Sequence, residues 1–473
     1  MNFSKKLCRL ISLFCAAAIL LGTLGSVLVM VTSAAETRYT GYPTKMVLGE
    51  KIPQDQFYDE NGNAKKINIT EGQYTLVTYW ASWCSDCQHE FDLLPTLKPV
   101  LNEYDNVQWY LIDYVDGKKE TKQDGVDFIK AQQPGLPVLY DHDAKSFQSL
   151  GITQIPTTLL LNPEGEIIYC YPDVIETKDH LRAILDYATK GADAQTLSYV
   201  QSNLLKADGT VKKAATVSNT SSTAQSFLAQ YAVNSLNKSL LDTQKQWVDT
   251  NGSTGDLGDD LRLLQAMSAW KGYETQAMAL RQAVLSKVKD SNFTGEVALS
   301  DLNLSAIALL GDEKLSANAL SLVQKGYLGA EFPLYCTSYN TDKQSYKKTV
   351  IDTTESLMTV YHLAQQGKVK KATLEWLKET MNTTGIYARY NADGTAIQRY
   401  SYETPSVYAL TALIGLETGD QELFTDALIQ MEQCRTFDAA SAANGSFSSK
   451  ASDQALEQCL PLYVYSVMEQ KGI

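Results

Sequence analysis

The segment Trp80-Ala81-Ser82-Trp83-Cys84-Ser85-Asp86-Cys87 decides the fold of the first half of this chain. It completes Tyr74–Trp80, a run of β-branched and aromatic residues typical of a buried strand, and it opens a helical pattern that reaches about Tyr104. Val107–Tyr114 has the pattern of a second strand. A Cys-x-x-Cys pair where a strand turns into a helix indicates a redox site.

The spacing of the two cysteines explains the chemistry that we expect from them. Cys84 would lie at the helix N-terminus, where free backbone N–H groups and the helix dipole stabilise a thiolate. Cys87 is three residues further on the same helix face, close enough to form a disulfide. We expect Cys84 to attack a substrate disulfide and Cys87 to resolve the mixed disulfide. Half of a zinc site and a purely structural disulfide are the alternatives, but no second Cys-x-x-Cys is present and so small a loop constrains little chain entropy.

The remainder of residues 51–191 predicts an α/β sheet with mixed strand directions. Residues 158–161 and 166–169 read as two strands of a hairpin around the turn-forming run Asn162-Pro163-Glu164-Gly165. Pro156 comes just before the first of these strands, which it should start, because proline is disfavoured inside a central strand. A helix is predicted over 178–189.

Three runs of this region resemble the extracytoplasmic thioredoxin-fold oxidoreductases of the TlpA/ResA type: Trp80–Phe91, Ile155–Thr158 and Asn162–Gly165. The resemblance implies a thioredoxin fold over residues 51–191, with Trp83 and a cis Pro156 shaping the substrate face beside the cysteine pair. It also implies that Glu90, three residues after Cys87, tunes the protonation of the pair. The alternative for Glu90 is a solvated carboxylate on the helix surface.

Asp86 departs from the resembling family, which usually has proline before the second cysteine. A negative charge there should raise the pKa of Cys84, which would destabilise the reduced form and favour a reductant. The helix dipole opposes this effect. The neighbouring His89 could carry protons, but its polar neighbours Gln88 and Glu90 favour a surface position.

The N-terminal residues 1–35 have the order of an export signal. Lys5, Lys6 and Arg9 precede an uncharged apolar stretch over 10–31, and small residues follow up to Ala35. The segment is either a cleaved signal peptide or a membrane anchor, because 22 apolar residues can also span a bilayer. Either way we expect the body of the protein outside the cytoplasm, after a short linker over 36–50.

Composition limits the remaining possibilities. A chain of 473 residues is too long for one ordinary domain, and a net charge of −13 argues against nucleic-acid binding. Eight cysteines stand against four histidines, which weakens a histidine-based metal site, and no cofactor is expected. The expected partners are protein thiols and disulfides, with a membrane electron donor and a cell-wall glycan as further candidates.

The second half of the chain, 222–473, consists almost entirely of helical patterns joined by short loops, after a small and polar linker over 192–221. Gly311, Gly367 and Gly419 follow predicted helices as C-caps should. Paired helices without a strict repeat length favour a closed toroid over a tandem-repeat array. This half resembles the (α/α)6 toroid of glycoside hydrolase family eight in the runs 258–262, 332–335, 354–357 and 402–409.

The resemblance predicts a catalytically degenerate toroid. Thr223 and Gly258 occupy the places of two acids of that family, whereas the acid close to the second place is retained as Asp260. Threonine cannot protonate a leaving group. Glycoside hydrolysis needs two carboxylates. Several acids and tyrosines could still line a sugar-binding groove: Asp259, Asp260, Glu355, Glu403, Tyr335, Tyr402 and Tyr408. The alternative is that these tyrosines are packing residues and these acids are helix caps.

Four further cysteines have no metal-like spacing: Cys170, Cys336, Cys434 and Cys459. Cys434 and Cys459 fall in late helices, where they could pair or remain buried thiols.

The sequence thus predicts a multidomain protein, an α/β thioredoxin fold followed by an all-α (α/α)6-type toroid. The leading function is an extracytoplasmic thiol–disulfide oxidoreductase, a reductant, with a helical targeting or glycan-binding module. The alternatives are a carbohydrate-active or glycan-binding toroid with an accessory redox domain, and a protein-binding scaffold with a redox sensor.

Overall fold

The computed structural model of the protein describes residues 48–473. Its first half alternates strands and helices. The strands are β1 Phe57–Tyr58, β2 Ala64–Lys65, β3 Tyr74–Trp80, β4 Val107–Val115, β5 Val138–His142, β6 Thr157–Leu161 and β7 Ile167–Tyr171. The helices are α1 Ser85–Leu97, α2 Lys122–Gln132, α3 Lys145–Ser149 and α4 Lys178–Thr189.

These seven strands form one sheet in the order β2-β1-β5-β4-β3-β6-β7. Strands β3, β4 and β5 are parallel, whereas β6 and β7 run antiparallel to β3. The mixed sheet predicted from the sequence is therefore confirmed, with β3 at its centre. Six of the seven residues of β3 are buried, because both faces of the central strand are covered. The end of this strand leads directly to Cys84.

The helix after Cys84 is shorter than predicted. Helix α1 ends at Leu97, and a 3₁₀ turn follows over Lys98–Glu103. Pro99 has no N–H with which to continue the α-helical hydrogen bonding through Pro95, so the α-helix cannot reach Tyr104.

The second half is all-α apart from short strand pairs. Its helices are α5 Ala194–Tyr199, α6 Ser222–Asn234, α7 Lys238–Asn251, α8 Leu257–Ser268, α9 Glu274–Leu285, α10 Leu304–Ala308, α11 Glu313–Lys325, α12 Thr353–Ala364, α13 Lys371–Thr383, α14 Pro405–Thr418, α15 Gln421–Glu432 and α16 Leu456–Lys471. Short strands join some of them: β8 Val288–Lys289, β9 Asn292–Phe293, β10 Glu296–Ala298, β11 Ser338–Asn340, β12 Ser345–Lys347, β13 Val350–Asp352 and β14 Arg389–Asn391.

Within the described residues, six helices close a ring in the order α6, α8, α10, α12, α14 and α16, and α16 packs back against α6. Helices α14 and α16 are buried over most of their length, whereas α7, α9, α11 and α13 bury only one face, as outer helices do. The predicted toroid is confirmed as a fold. The apolar periodicity of the sequence predicts a helix over 298–310 and none over 238–251. The structure instead has α7 in the second range, and in the first it has β10 and a 3₁₀ turn before Asn303 caps the short α10.

The segment 192–221 is ordered and packs against the toroid. It contains α5 and a π-helical turn over Val200–Leu204, and the side chains of Val200, Leu204 and Val211 are buried in the common core. The hydroxyl of Thr196 donates to the carbonyl of Gly445 at 2.7 Å. This segment therefore has structure of its own.

The two halves share a buried interface formed by β7, α4 and α15. His180 of α4 stacks on Phe437 with ring centroids 4.3 Å apart, and the backbone N–H of Leu48 donates to Thr425 of α15 at 3.2 Å. A single hydrophobic core runs through both halves.

The export segment 1–35 and residues 36–47 of the predicted linker lie outside the described residues. From residue 48 onward, none of the helices has the length and apolar character needed to cross a membrane.

Candidate active site

Cys84 caps the N-terminus of α1, which is the position that the sequence predicts for it. Its backbone is extended, with φ −82° and ψ 117°, and its sulfur accepts the N–H of Cys87 at 3.2 Å. The sulfur also lies 3.5 Å from the carbonyl oxygen of Ile155. The Ile155–Pro156 peptide bond is cis, as the family resemblance implies. The cysteine pair and the proline loop therefore meet at one end of the sheet.

The two sulfurs have opposite electrostatic environments. The pKa of Cys84 is lowered to about 7, mainly because the thiol of Cys87 donates to it and because the N–H groups of Cys87 and Asp86 point at it. Burial raises the pKa of Cys87 far above its usual value. These environments favour a thiolate on the more exposed sulfur of Cys84 at neutral pH and a proton on the buried sulfur of Cys87.

The charge of Asp86 acts in the predicted direction, but it does not decide the outcome. It raises the pKa of Cys84, yet the hydrogen bonds to the sulfur outweigh it and the net pKa falls. The Asp86 charge therefore disfavours the Cys84 thiolate as predicted, but it does not set the net pKa. The thiol and the backbone N–H of Cys87, together with the backbone N–H of Asp86, lower the pKa by more than the charge raises it.

Glu90 is buried, with 3% of its surface exposed, next to Cys87 and Pro156 at the floor of the site. Burial raises its pKa to about 8, and the charges of Asp173, Cys84 and Glu176 act in the same direction. One oxygen accepts the N–H of Ile175 at 3.4 Å. This position excludes the alternative of a solvated helix carboxylate.

Trp83 stands at the surface beside Cys84, with 39% of its area exposed. It forms one wall of a groove of about 520 Å³ that also includes Tyr114, Phe147 and Gln154. The amino nitrogen of Lys119 lies 3.2 Å from the centroid of the indole ring. Cys84 lines the same groove.

His89 is exposed and its ring lies 3.1 Å from the carboxylate of Glu176. His89 does not line the groove, and its exposure agrees with the predicted surface position. The six cysteines of the described residues are all free thiols, so Cys434 and Cys459 are not joined to each other. No group of three or more His, Cys, Asp or Glu among residues 48–473 is arranged to hold a metal ion.

A second cavity, of about 560 Å³, opens at the N-terminal ends of the ring helices of the toroid. Of the groove residues predicted from the sequence, Glu355 and Tyr402 line it, together with Thr223. Asp259 is buried and does not line the cavity. The Thr223 hydroxyl donates to it at 3.3 Å, and Arg262 forms an ion pair with it.

The other predicted groove residues are structural. Asp260 is buried and accepts the N–H of Thr254 at 2.7 Å. Tyr335 is buried, and Glu403 accepts a hydrogen bond from the buried Tyr408. These residues fit the alternative interpretation of packing and capping.

The sequence analysis missed five acidic residues that line this cavity: Asp256, Asp301, Asp352, Asp453 and Glu457. Burial raises the pKa values of Asp301, Glu355 and Glu457 to about 7 each. Asp301 and Glu457 come from different ring segments, 156 positions apart in the chain, so no local spacing could have indicated them. The cavity thus holds carboxyl groups that exchange protons near neutral pH.

Residues 48–170 match the model of the AhpC/TSA family. Thiol-disulfide oxidoreductase ResA of Bacillus subtilis is 26% identical over 148 residues, which is 30% of this chain and 79% of the relative. Sporulation thiol-disulfide oxidoreductase A of the same organism is 32% identical over 99 residues, which is 20% of this chain and 58% of the relative. The resemblance found in the sequence is therefore confirmed for the N-terminal half.

The C-terminal half resembles a solved alpha-amylase from Clostridium perfringens, with a TM-score of 0.52 and 20% identity over 58% of this chain and 97% of that one. At this level of identity the likeness confirms the fold of the helical half and nothing about its activity.

Proposed function

We propose that this protein is a thiol–disulfide oxidoreductase that uses Cys84 as its nucleophile. The observation that carries the proposal is the Cys84 sulfur itself, which lies at a helix N-terminus beside an open groove and has a pKa of about 7. The names of the relatives of the N-terminal half also support an oxidoreductase.

The reaction runs through a mixed disulfide. The Cys84 thiolate attacks one sulfur of a substrate disulfide, which forms the mixed disulfide and releases the other substrate sulfur as a thiolate. Cys87 then loses its proton and attacks Cys84, which releases the second substrate thiol and leaves the Cys84–Cys87 disulfide. Two electrons pass to the substrate, and the two substrate sulfurs take up two protons.

Glu90 is the proposed proton acceptor for Cys87. The two residues line the same buried space, and water has no ready access to the Cys87 thiol. With a pKa of about 8, a fraction of Glu90 is ionised at neutral pH, so it can accept the thiol proton and later release it.

The reducing direction is supported by the pKa of the nucleophile. A value of about 7 equals that of thioredoxin, a reductant with a potential near −270 mV, whereas strongly oxidising members of the fold have a value of about 3.5 and a potential near −120 mV. The carboxyls of Asp86 and Glu90 further disfavour a thiolate and hence the reduced pair.

Export of the protein is part of the same proposal. The charged, apolar and small-residue order of residues 1–35 supports a position outside the cytoplasm, attached to the membrane or released. Protein disulfides are the substrates there, and a membrane-bound electron donor would restore the dithiol.

Insulin reduction by the full chain tests the activity, with dithiothreitol as the electron source. Wild type should accelerate the reduction and Cys84→Ser should not, whereas Cys170→Ser is the matched control because Cys170 is buried in the interface. Equal rates for wild type and Cys84→Ser would refute the proposal.

The toroid cavity supports a second candidate function, binding of a carbohydrate. Its specific basis is the combination of Tyr402 with Asp301 and Glu355, because sugars bind to aromatic faces and to carboxyl groups that accept their hydroxyls. Retention on cell-wall polysaccharide tests it. Wild type should be retained and Tyr402→Ala released, and equal elution of the two proteins would exclude this role. Sugar release measured in parallel would contradict the predicted degeneracy.

A further inference from the structure

Two buried carboxyl groups, Asp113 and Glu120, lie behind the loop that carries Cys84. Asp113 is near the end of β4 and Glu120 is in the turn before α2, and neither residue has exposed surface. Glu120 accepts two hydrogen bonds from Ser82, one from its N–H at 3.0 Å and one from its hydroxyl at 2.8 Å. Ser82 is two residues before Cys84, so Glu120 holds the loop from which the nucleophile extends.

Asp113 needs a proton in order to be stable in its position. Neither of its oxygens has an ordinary hydrogen-bond donor nearby, and burying a bare carboxylate without donors is costly. A proton on Asp113 would allow it to donate to the neighbouring carboxyl of Glu120, and this interaction contributes to the raised pKa of Asp113. Two carboxyl groups in contact hold one proton between them, since both cannot be ionised together.

The side chain of Asp113 fits in its position because residue 125 is a glycine. A Cβ on Gly125 of α2 would lie 1.8 Å from one Asp113 oxygen, so only glycine admits the carboxyl at this position. Burial and the charges of Glu120, Asp124 and Asp141 raise the pKa of Asp113, and Tyr140 faces the same group. Burial also raises the pKa of Glu120, but the hydrogen bonds from Ser82 and the interaction with Asp113 lower it. The shared proton is therefore assigned to Asp113, and Glu120 is the acceptor for Ser82.

The turn that contains Glu120 also contacts the active-site loop through a second residue, Lys119. Asp116 accepts the N–H groups of Lys118, Lys119 and Glu120 at 2.8, 2.8 and 3.0 Å, which fixes the shape of this turn. Lys119 then covers the ring of Trp83, the residue between Ser82 and Cys84.

We propose that the Asp113–Glu120 pair, with one shared proton, is a positioning device for Cys84. Through Ser82 it fixes the loop so that the Cys84 sulfur stays within reach of the Cys87 N–H and thiol. Asp113 and Glu120 touch neither substrate nor sulfur, so they are positioning residues. The inference rests on the proposed function of Cys84 and extends it to groups outside the Cys-x-x-Cys segment.

The test is the pH dependence of Cys84 alkylation in the reduced full chain. Iodoacetamide labelling is followed from about pH 5 to about pH 10, and mass spectrometry assigns the label to Cys84. Glu120→Gln should raise the alkylation midpoint by about one pH unit, since a loosened loop weakens hydrogen bonds that lower the thiol pKa. Ser82→Ala should raise it in the same direction. Asp127→Asn, an exposed acid of α2 that hydrogen-bonds with Gln123, is the matched control.

Asp113 is tested by rescue. Asp113→Leu removes the donor to Glu120 and should raise the alkylation midpoint, whereas Asp113→Asn supplies an amide N–H in place of the shared proton and should restore the wild-type profile. Glu120→Gln and Ser82→Ala profiles that coincide with that of Asp127→Asn would overturn the proposal. If Glu120→Gln does not fold, Ser82→Ala decides alone.

Insulin reduction measured on the same samples separates the two claims. A wild type without turnover whose midpoint still depends on Glu120 and Ser82 would refute the proposed function and keep the positioning device. A wild type that reduces insulin, together with variants whose alkylation midpoints do not shift, would support the proposed function and refute the positioning device.

Discussion

Glu90→Gln should change how the stability of the thioredoxin-like half depends on pH. The pKa of Glu90 rises from 4.5 to about 8 on folding because the carboxyl is buried. The native state therefore binds the proton more tightly than the unfolded state between these values, so this group's contribution to stability is largest at low pH and is lost as the pH rises towards 8. Glutamine is neutral at every pH and removes this dependence.

The magnitude follows from the two pKa values. Full ionisation of the buried carboxyl corresponds to about 5 kcal/mol, and between pH 5 and pH 8 wild type should lose about 3 kcal/mol relative to Glu90→Gln. Glutamine can still accept the N–H of Ile175, so the local structure should persist.

The assay is hydrogen–deuterium exchange in urea, read on a peptide that covers β3, because a probe inside the sheet reports this half of the chain separately from the toroid. Asp92→Asn, on the exposed side of the same helix, is the matched control and should follow wild type. A constant difference in stability between wild type and Glu90→Gln over this pH range would refute the reasoning that Glu90 is buried and protonated.

Three further predictions concern both cavities. Asp86→Asn should lower the pKa of Cys84 below about 7, because the substitution removes a negative charge that raises this pKa. An alkylation profile identical to that of wild type would show that solvent screens the Asp86 charge fully. Cys87→Ser should accumulate a mixed disulfide between Cys84 and its substrate, because the resolving thiol is gone; non-reducing gels without such adducts would assign the resolving role elsewhere. Glu355→Gln should weaken polysaccharide retention mainly above about pH 7, where wild-type Glu355 is an ionised acceptor of sugar hydroxyls. An unchanged pH profile would remove Glu355 from the binding site.

The sequence predicted the α/β half well because its signals are local. The Cys-x-x-Cys pair, the proline before β6 and the hydrophobic run of β3 each lie within a few residues, and each has a direct structural consequence. Strands β1 and β2 have two residues each, too few for a pattern, and they were missed. The sequence analysis also did not predict α2, β5 and α3.

The parts that sequence could not predict depend on contacts between distant residues. Glu120 reaches Ser82 across 38 positions, and the burial of Asp113 depends on Gly125 in another element. The helical pattern predicted the ring, but which acids face the cavity depends on the rotation of each helix. For this reason Glu355 was placed correctly, whereas Glu403 and Asp260 were not.

The reduction potential of the Cys84–Cys87 pair tests the central claim most directly, because it reports both the chemistry and its direction. It can be measured on the full chain by equilibration with glutathione buffers, with Cys84→Ser as the blank. The account predicts a value near that of thioredoxin, about −270 mV, since the two nucleophiles share a pKa of about 7. A value near −120 mV, typical of strong oxidants of this fold, would contradict it.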